Sequence, residues 1–127
     1  MQKILLVALG GAIGSSFRYL LSLFLMFEEH IFIWKTFAVN IIGSLLIGFF
    51  IGFFTNNNWS ENLSIFLIIG ILGGFTTFSS FALDAVNLFK IGELKTALIY
   101  ILATNILGII SVFIGFYLYK QLFTNII

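Results

Sequence analysis

Apolar residues occupy four long blocks of this chain. Polar clusters at Glu28-Glu29-His30, at Asn56-Asn57-Asn58-Trp59-Ser60-Glu61-Asn62 and at Lys90-Ile91-Gly92-Glu93-Leu94-Lys95 divide them. The blocks cover approximately residues 4–27, 33–55, 63–87 and 96–118. Crossing a hydrocarbon layer takes roughly 20 apolar residues at a rise of about 1.5 Å each, so every block is long enough to span as a helix. Membrane strands would instead alternate apolar and polar positions over about ten residues, and no such alternation occurs here. Helices also satisfy their own backbone in lipid, where open polar groups are costly. The expected fold is an all-α membrane protein, a single domain over residues 1–127 with four transmembrane helices.

Composition narrows the function. Of 127 residues 61% are hydrophobic and only 9% charged, and the mean hydropathy is +1.16. A soluble domain carries about 25% charged residues, so this chain cannot cover a core with polar surface. Its net charge of +1 supplies no basic patch, which removes nucleic acid as a partner. Cysteine is absent, excluding disulfides, thiolate metal sites and thiol nucleophiles. Lys3 before an apolar stretch imitates a signal peptide. The stretch runs past Arg18 without a small-residue cleavage site, however, and three more follow it, so it reads as a retained helix. The lone His30 reads as loop surface. No serine-histidine-acid set, phosphate loop, histidine pair or intramembrane carboxylate pair is present. Permeation is the expected activity, and an enzyme is not.

Small residues recur at helix-packing spacing: Gly10 with Gly14, Ser44 with Gly48 and Gly52, Gly70 with Gly74, and Ser111 with Gly115. Such faces let helix backbones approach closely where lipid removes the hydrophobic drive to associate. Four helices enclose little interior, which favours an oligomer. With the amino terminus on one side, that side holds Lys3 and Lys120 and the other holds Lys35, Lys90 and Lys95. Orientation normally follows a clear Lys/Arg excess. A bias this small is compatible with insertion in both directions and an antiparallel dimer, or with simple anchoring by the second set.

Polar groups inside the blocks ask for a reason. Gly73-Gly74 before Thr76-Thr77 combines weak helix formers with hydroxyls that compete for the backbone. Either the helix breaks there and offers carbonyls to a cation, or it stays intact with its hydroxyls bonded to the preceding turn. Phe78 and Phe81 share a helix face, and Thr77, Ser80, Asp84 and Asn87 follow one another at steps of three or four. Ring edges are positive, so beside hydroxyl and amide donors they suit a small anion, while ordinary apolar packing is the simpler explanation of any single such pair. Arg18 is permanently charged and either reaches an interface or lines a watery vestibule. Asn40 offers amide donors for an anion or for interhelical bonding. Asp84 could face an aqueous mouth.

Gly10-Gly11-Ala12-Ile13-Gly14 with Arg18-Tyr19, Val39-Asn40 with Gly43-Ser44, and Gly73-Gly74-Phe75-Thr76-Thr77-Phe78-Ser79-Ser80-Phe81 together resemble the Fluc (CrcB) fluoride channels over nearly the whole chain. The resemblance implies an antiparallel dual-topology dimer in the inner (plasma) membrane, surrounded by lipid. It further implies two narrow pores between subunits through which fluoride leaves the cytoplasm passively. Phe78 and Phe81 would be pore-lining rings, Asn40 an amide donor, Ser79, Ser80 and Thr77 hydroxyls near the path, with Arg18 by the vestibule. The family also has a structural sodium ion at the dimer interface, which here implies carbonyls of Gly73 and Thr76 at a break in the third helix. The fourth helix departs from the family, with Ile109 and Phe113 where a serine and a threonine are expected. That leaves Ser111, Thr104, Asn105 or Tyr100 to substitute, or a second, different subunit to complete the pore. Two rival readings are a small multidrug exporter, for which Asp84 is the only suitable carboxylate, and a non-conducting subunit.

Overall fold

The computed structural model describes residues 1–25, 32–56 and 59–123. Helix α1 spans Gln2–Phe24 and α2 spans Phe32–Asn56. A third span begins with the short α3 (Glu61–Ser64), widens into a π-helical segment (Ile65–Leu72), and continues through α4 (Gly73–Phe75) and α5 (Phe78–Lys90). Helix α6 is Leu94–Phe123. Among the described residues four stretches, Gln2–Phe24, Ile33–Thr55, Glu61–Lys90 and Leu94–Phe123, are thus long and apolar enough to cross a membrane. The first block was expected to reach 27, and its part beyond Leu25 lies outside the described residues, as does His30. The last helix outruns its apolar block, expected at 96–118, at both ends. Lys95, Lys120 and Gln121 are good helix formers, so the backbone ladder continues where hydropathy stops.

Spans one and three run parallel, as do two and four. Lys3 Nζ and Glu61 Oε1 pair at 2.6 Å where α1 and α3 begin, and the contacts that follow climb both spans together. A Cβ added to Gly10 would meet Phe66 O at 2.6 Å, one on Gly74 would meet Gly11 O at 2.7 Å, and one on Gly14 would overlap the Ile71 carbonyl. On the other pair, a Cβ on Gly48 would overlap the Val112 carbonyl and one on Gly115 the Leu45 carbonyl. The small-residue faces therefore set backbone against backbone within each pair, the close approach that stabilises helices in lipid.

A tight turn joins α5 to α6. Gly92 takes φ +82°, the left-handed region that glycine enters without steric penalty. Gly92 N–H donates to Phe89 O at 3.1 Å and Glu93 N–H to Leu88 O at 2.9 Å, which closes the end of α5 as a Schellman motif. The turn folds α6 back onto α5, so that Phe81, Ala85 and Leu88 pack with Ala97, Tyr100 and Ile33.

Between α4 and α5 the helical ladder is interrupted. Thr76 lies at φ −75°, ψ 156° and Thr77 at φ −151°, ψ 114°, both extended. Thr76 N–H still donates to Leu72 O at 3.0 Å, and its hydroxyl donates to the same carbonyl at 2.9 Å. A hydroxyl bond to the preceding turn thus coexists with extended backbone.

Candidate functional site

Two extended residues inside an apolar span leave peptide groups without intrahelical partners, and buried groups of that kind require others. Thr77 is 8% exposed. Asn40 of α2 serves both of its backbone groups: Asn40 Nδ2 donates to Thr77 O at 3.0 Å, and Thr77 N–H donates to Asn40 Oδ1 at 2.8 Å. Arg18 of α1 donates through Nη1 to Thr76 O at 3.3 Å. Polar groups of two other helices thus converge on successive peptides of the third span.

Thr77 also starts α5. Its Oγ1 accepts from Ser80 N–H at 3.1 Å, an N-cap bond, and donates to Ser80 Oγ at 3.1 Å. Ser79 Oγ lies 3.3 Å from the same oxygen. Ser80 therefore accepts a hydrogen bond and keeps its own proton to donate, a chain that polarises toward an acceptor beyond it. The α5 amino terminus, positive by its aligned peptides, lies at the same point.

A cavity of about 240 Å³ opens here, with Asn40, Ser44, Thr77, Phe78, Phe81 and Thr104 among its walls. The Phe78 and Phe81 rings are 5.5 Å apart between centroids and inclined at 49°. Their settings differ: Phe81 is 7% exposed and leans on Tyr100 at 5.3 Å, whereas Phe78 is 76% exposed on the protomer surface. A larger groove, about 420 Å³ between residues such as Phe17, Leu20 and Phe75, is lined by apolar side chains and holds no group that could select an ion.

The residues expected from sequence are not all in one place. Asn40, Thr76, Thr77, Phe78 and Phe81 border the cavity, and Ser79 and Ser80 stand on the first turn of α5. Arg18 reaches the Thr76 carbonyl from α1 instead, and Gly73 is exposed on the protomer surface. Of the two uses open to Asn40, interhelical bonding is the one present, and it leaves one Nδ2 hydrogen uncommitted. Among the described residues no three His, Cys, Asp or Glu side chains gather as a metal site.

The sequence profile of the family described as "CrcB-like protein, Camphor Resistance (CrcB)" matches residues 5–116. The chain belongs to the CrcB family. Among its relatives, the fluoride-specific ion channel FluC of Agrobacterium fabrum is 50% identical over 125 residues, covering 97% of this chain and 100% of that one. The channel of the same name from Parabacteroides distasonis is 46% identical over 127 residues, 99% of each chain. That of Helicobacter pylori strain G27 is 48% identical over 119 residues, 90% of each. A CrcB protein with four apolar spans is a multi-pass membrane protein.

Other side chains meet this CrcB site in ways that spacing did not disclose. Thr104, one of several polar residues of the fourth block, has its Oγ1 buried with no hydrogen-bond partner among the described residues. Ser44, expected to be a packing residue, borders the cavity. Tyr100 O–H donates to Asp84 Oδ2 at 3.4 Å, with Thr36 within bonding reach, so Asp84 is engaged inside the bundle. The spacing of Asn40 to Ser44 and of Tyr100 to Thr104, one turn each, was the available signal. The two departures in the fourth helix point elsewhere: Ile109 and Phe113 are 61% and 63% exposed on the outside of the protomer.

Proposed function

We propose that this chain is a subunit of a passive, fluoride-selective channel of the cell membrane, in which a second copy inserted antiparallel completes two pores. The single observation that carries the reading is the half-walled polar cavity at the interrupted third span, open where Phe78 is 76% exposed. A pore wall that is finished on one side only suits a path lying between protomers. The names of the relatives supply the ion, and the near-balanced lysines support insertion in both directions.

In this reading a partly dehydrated fluoride takes hydrogen bonds from Ser80 and the remaining amide hydrogen of Asn40, with the Ser79 hydroxyl near the path and the positive edges of Phe78 and Phe81 beside it. Thr77 acts through Ser80, whose proton it leaves free. Every contact is neutral, so binding stays weak enough for exit, and no titrating residue is needed for passive flow. Arg18 holds the third span at Thr76 O and raises the local anion concentration.

The break in the third helix would also hold a structural sodium ion through carbonyls of Gly73 and Thr76 from both copies. The donors fit in kind: carbonyl oxygens suit a hard cation, Gly73 is exposed, and a Cβ there would meet nothing nearer than Ile68 O at 3.7 Å. One protomer offers too few oxygens, so the ion would tie two copies together. Arg18 already uses one lone pair of Thr76 O, and the other is the one open to a cation.

Purified chain reconstituted alone into vesicles tests the proposal. Fluoride efflux down its gradient, with chloride retained, is the expected result. No efflux would favour a non-conducting or obligately heteromeric subunit, and drug-coupled proton movement would favour an exporter using Asp84.

A further inference from the structure

We infer that Ser44 is an anion-contacting residue: its hydroxyl, with that of Thr104 on the wall of the same cavity, forms a second stage of the pathway beyond the Phe78–Phe81 pair. The inference rests on the channel reading above and extends it to Ser44, for which that reading has no use.

Thr104 is 8% exposed, and its Oγ1 has no hydrogen-bond partner among the described residues. A hydroxyl in a buried, low-dielectric setting is poorly tolerated without an acceptor. The space it borders is the 240 Å³ cavity, whose opposite wall carries Asn40 and, one turn further along α2, Ser44. One turn along α6 from Thr104 stands Gly108, where an added Cβ would come 3.7 Å from Ser44 Oγ and from no closer atom. That is ordinary van der Waals distance, and it places the Ser44 hydroxyl opposite Gly108 across the gap between α2 and α6. One further turn along, Gly48 lies directly against the Val112 backbone, so α2 and α6 close together and the polar space ends. Ser44 and Thr104 therefore line this space short of the closure, from two helices.

Two neutral donors and no cationic side chain among the walls match a small monovalent anion that must be held briefly and released. Fluoride, the smallest halide, makes the shortest and strongest hydrogen bonds to such donors.

The test uses the full chain in vesicles, with fluoride efflux read by electrode and assembly checked by size-exclusion chromatography. Losing one donor to an anion weakens its transit about tenfold, so Ser44→Ala should lower the efflux rate by roughly that factor with assembly unchanged. Adding Gly108→Ser to Ser44→Ala returns a hydroxyl from the opposite wall and should recover most of the rate, which repair of packing alone would not do. Should the alanine variant fail to assemble, Ser44→Gly makes the same comparison. Wild-type efflux with Ser44→Ala unchanged overturns this inference alone, as does a double variant no faster than Ser44→Ala. Absence of efflux from the wild-type chain overturns the channel reading and this one together.

Discussion

The third span carries two halves built on opposite principles. Before the interruption, Ile65–Leu72 is apolar throughout, and it holds its place by missing side chains: Gly70 and Gly74 lie on Gly10 and Gly11 of α1. After it, Phe78–Lys90 buries Phe81, Ala85 and Leu88 on one face and carries Ser80, Asp84 and Asn87 on another. The first half is fixed by shape and has no room for added atoms where Gly70 and Gly74 meet α1. The second is amphipathic and fixed by ordinary burial against α6. The extended residues between them satisfy their backbone from outside, through Arg18 and Asn40. The Phe78 and Phe81 rings that border the cavity thus belong to the half whose position does not depend on bare backbone contact.

The contrast breaks most severely if bulk on α1 is driven against the first half. Gly14→Leu would drive a side chain into the Ile71 carbonyl, which cannot move aside without the whole span. Overpacking against backbone costs about 3 kcal/mol or more, so little folded protein should survive detergent extraction. Normal yield and an unshifted melting temperature would remove the close-packing account. Asn40→Ala comes next. It strips both bonds from Thr77 and leaves a buried donor and acceptor unmet, a loss of roughly 2–4 kcal/mol. Its melting temperature should fall well below wild type, and fluoride efflux should fall with it.

The fold was legible from sequence because its signal is long and redundant: four apolar blocks, and small residues at four-residue spacing that mark the faces in contact. The π-helical segment was not legible, since Ile65–Leu72 carries the same apolar residues an α-helix would and nothing in that pattern sets a wider turn. At the site, hydroxyls and amides were easy to name, but their partners were not. Asn40 reaches 37 positions along the chain to Thr77, and Arg18 reaches 58 to Thr76. Such pairings depend on how the spans are arranged, which periodicity within one span does not encode. Thr104 was visible only as one of several polar residues in the fourth block. What distinguishes it is the absence of a partner for its hydroxyl, a property of the assembled bundle.

Smaller effects sharpen the picture of the second half. Thr77→Ala removes the N-cap of α5 and the bond that orients Ser80, for a loss of about 1 kcal/mol. Thr77→Ser keeps the oxygen and should melt within about 0.5 kcal/mol of wild type. Equal melting of the two variants would show that the cap contributes nothing. Phe81→Leu takes a ring away from Tyr100 in a buried position and should also cost about 1 kcal/mol.

Phe78→Leu has the smallest expected effect on stability and for that reason separates fold from function. The ring is 76% exposed and leans on Phe81 within the protomer, so a folded protomer does not need it. Melting should stay within about 0.5 kcal/mol of wild type. Leucine keeps the bulk and the apolar character but has no positive edge, so an anion that passes beside the ring loses that interaction while the wall keeps its shape. Fluoride efflux should drop about tenfold, the equivalent of roughly 1.4 kcal/mol in the barrier. If Phe78→Leu and Phe81→Leu both conduct as wild type does, the rings serve as packing and the anion path is carried by hydroxyls and amide alone. If only Phe81→Leu conducts less, its loss reflects the burial it shares with Tyr100, and the exposed ring has no part in permeation.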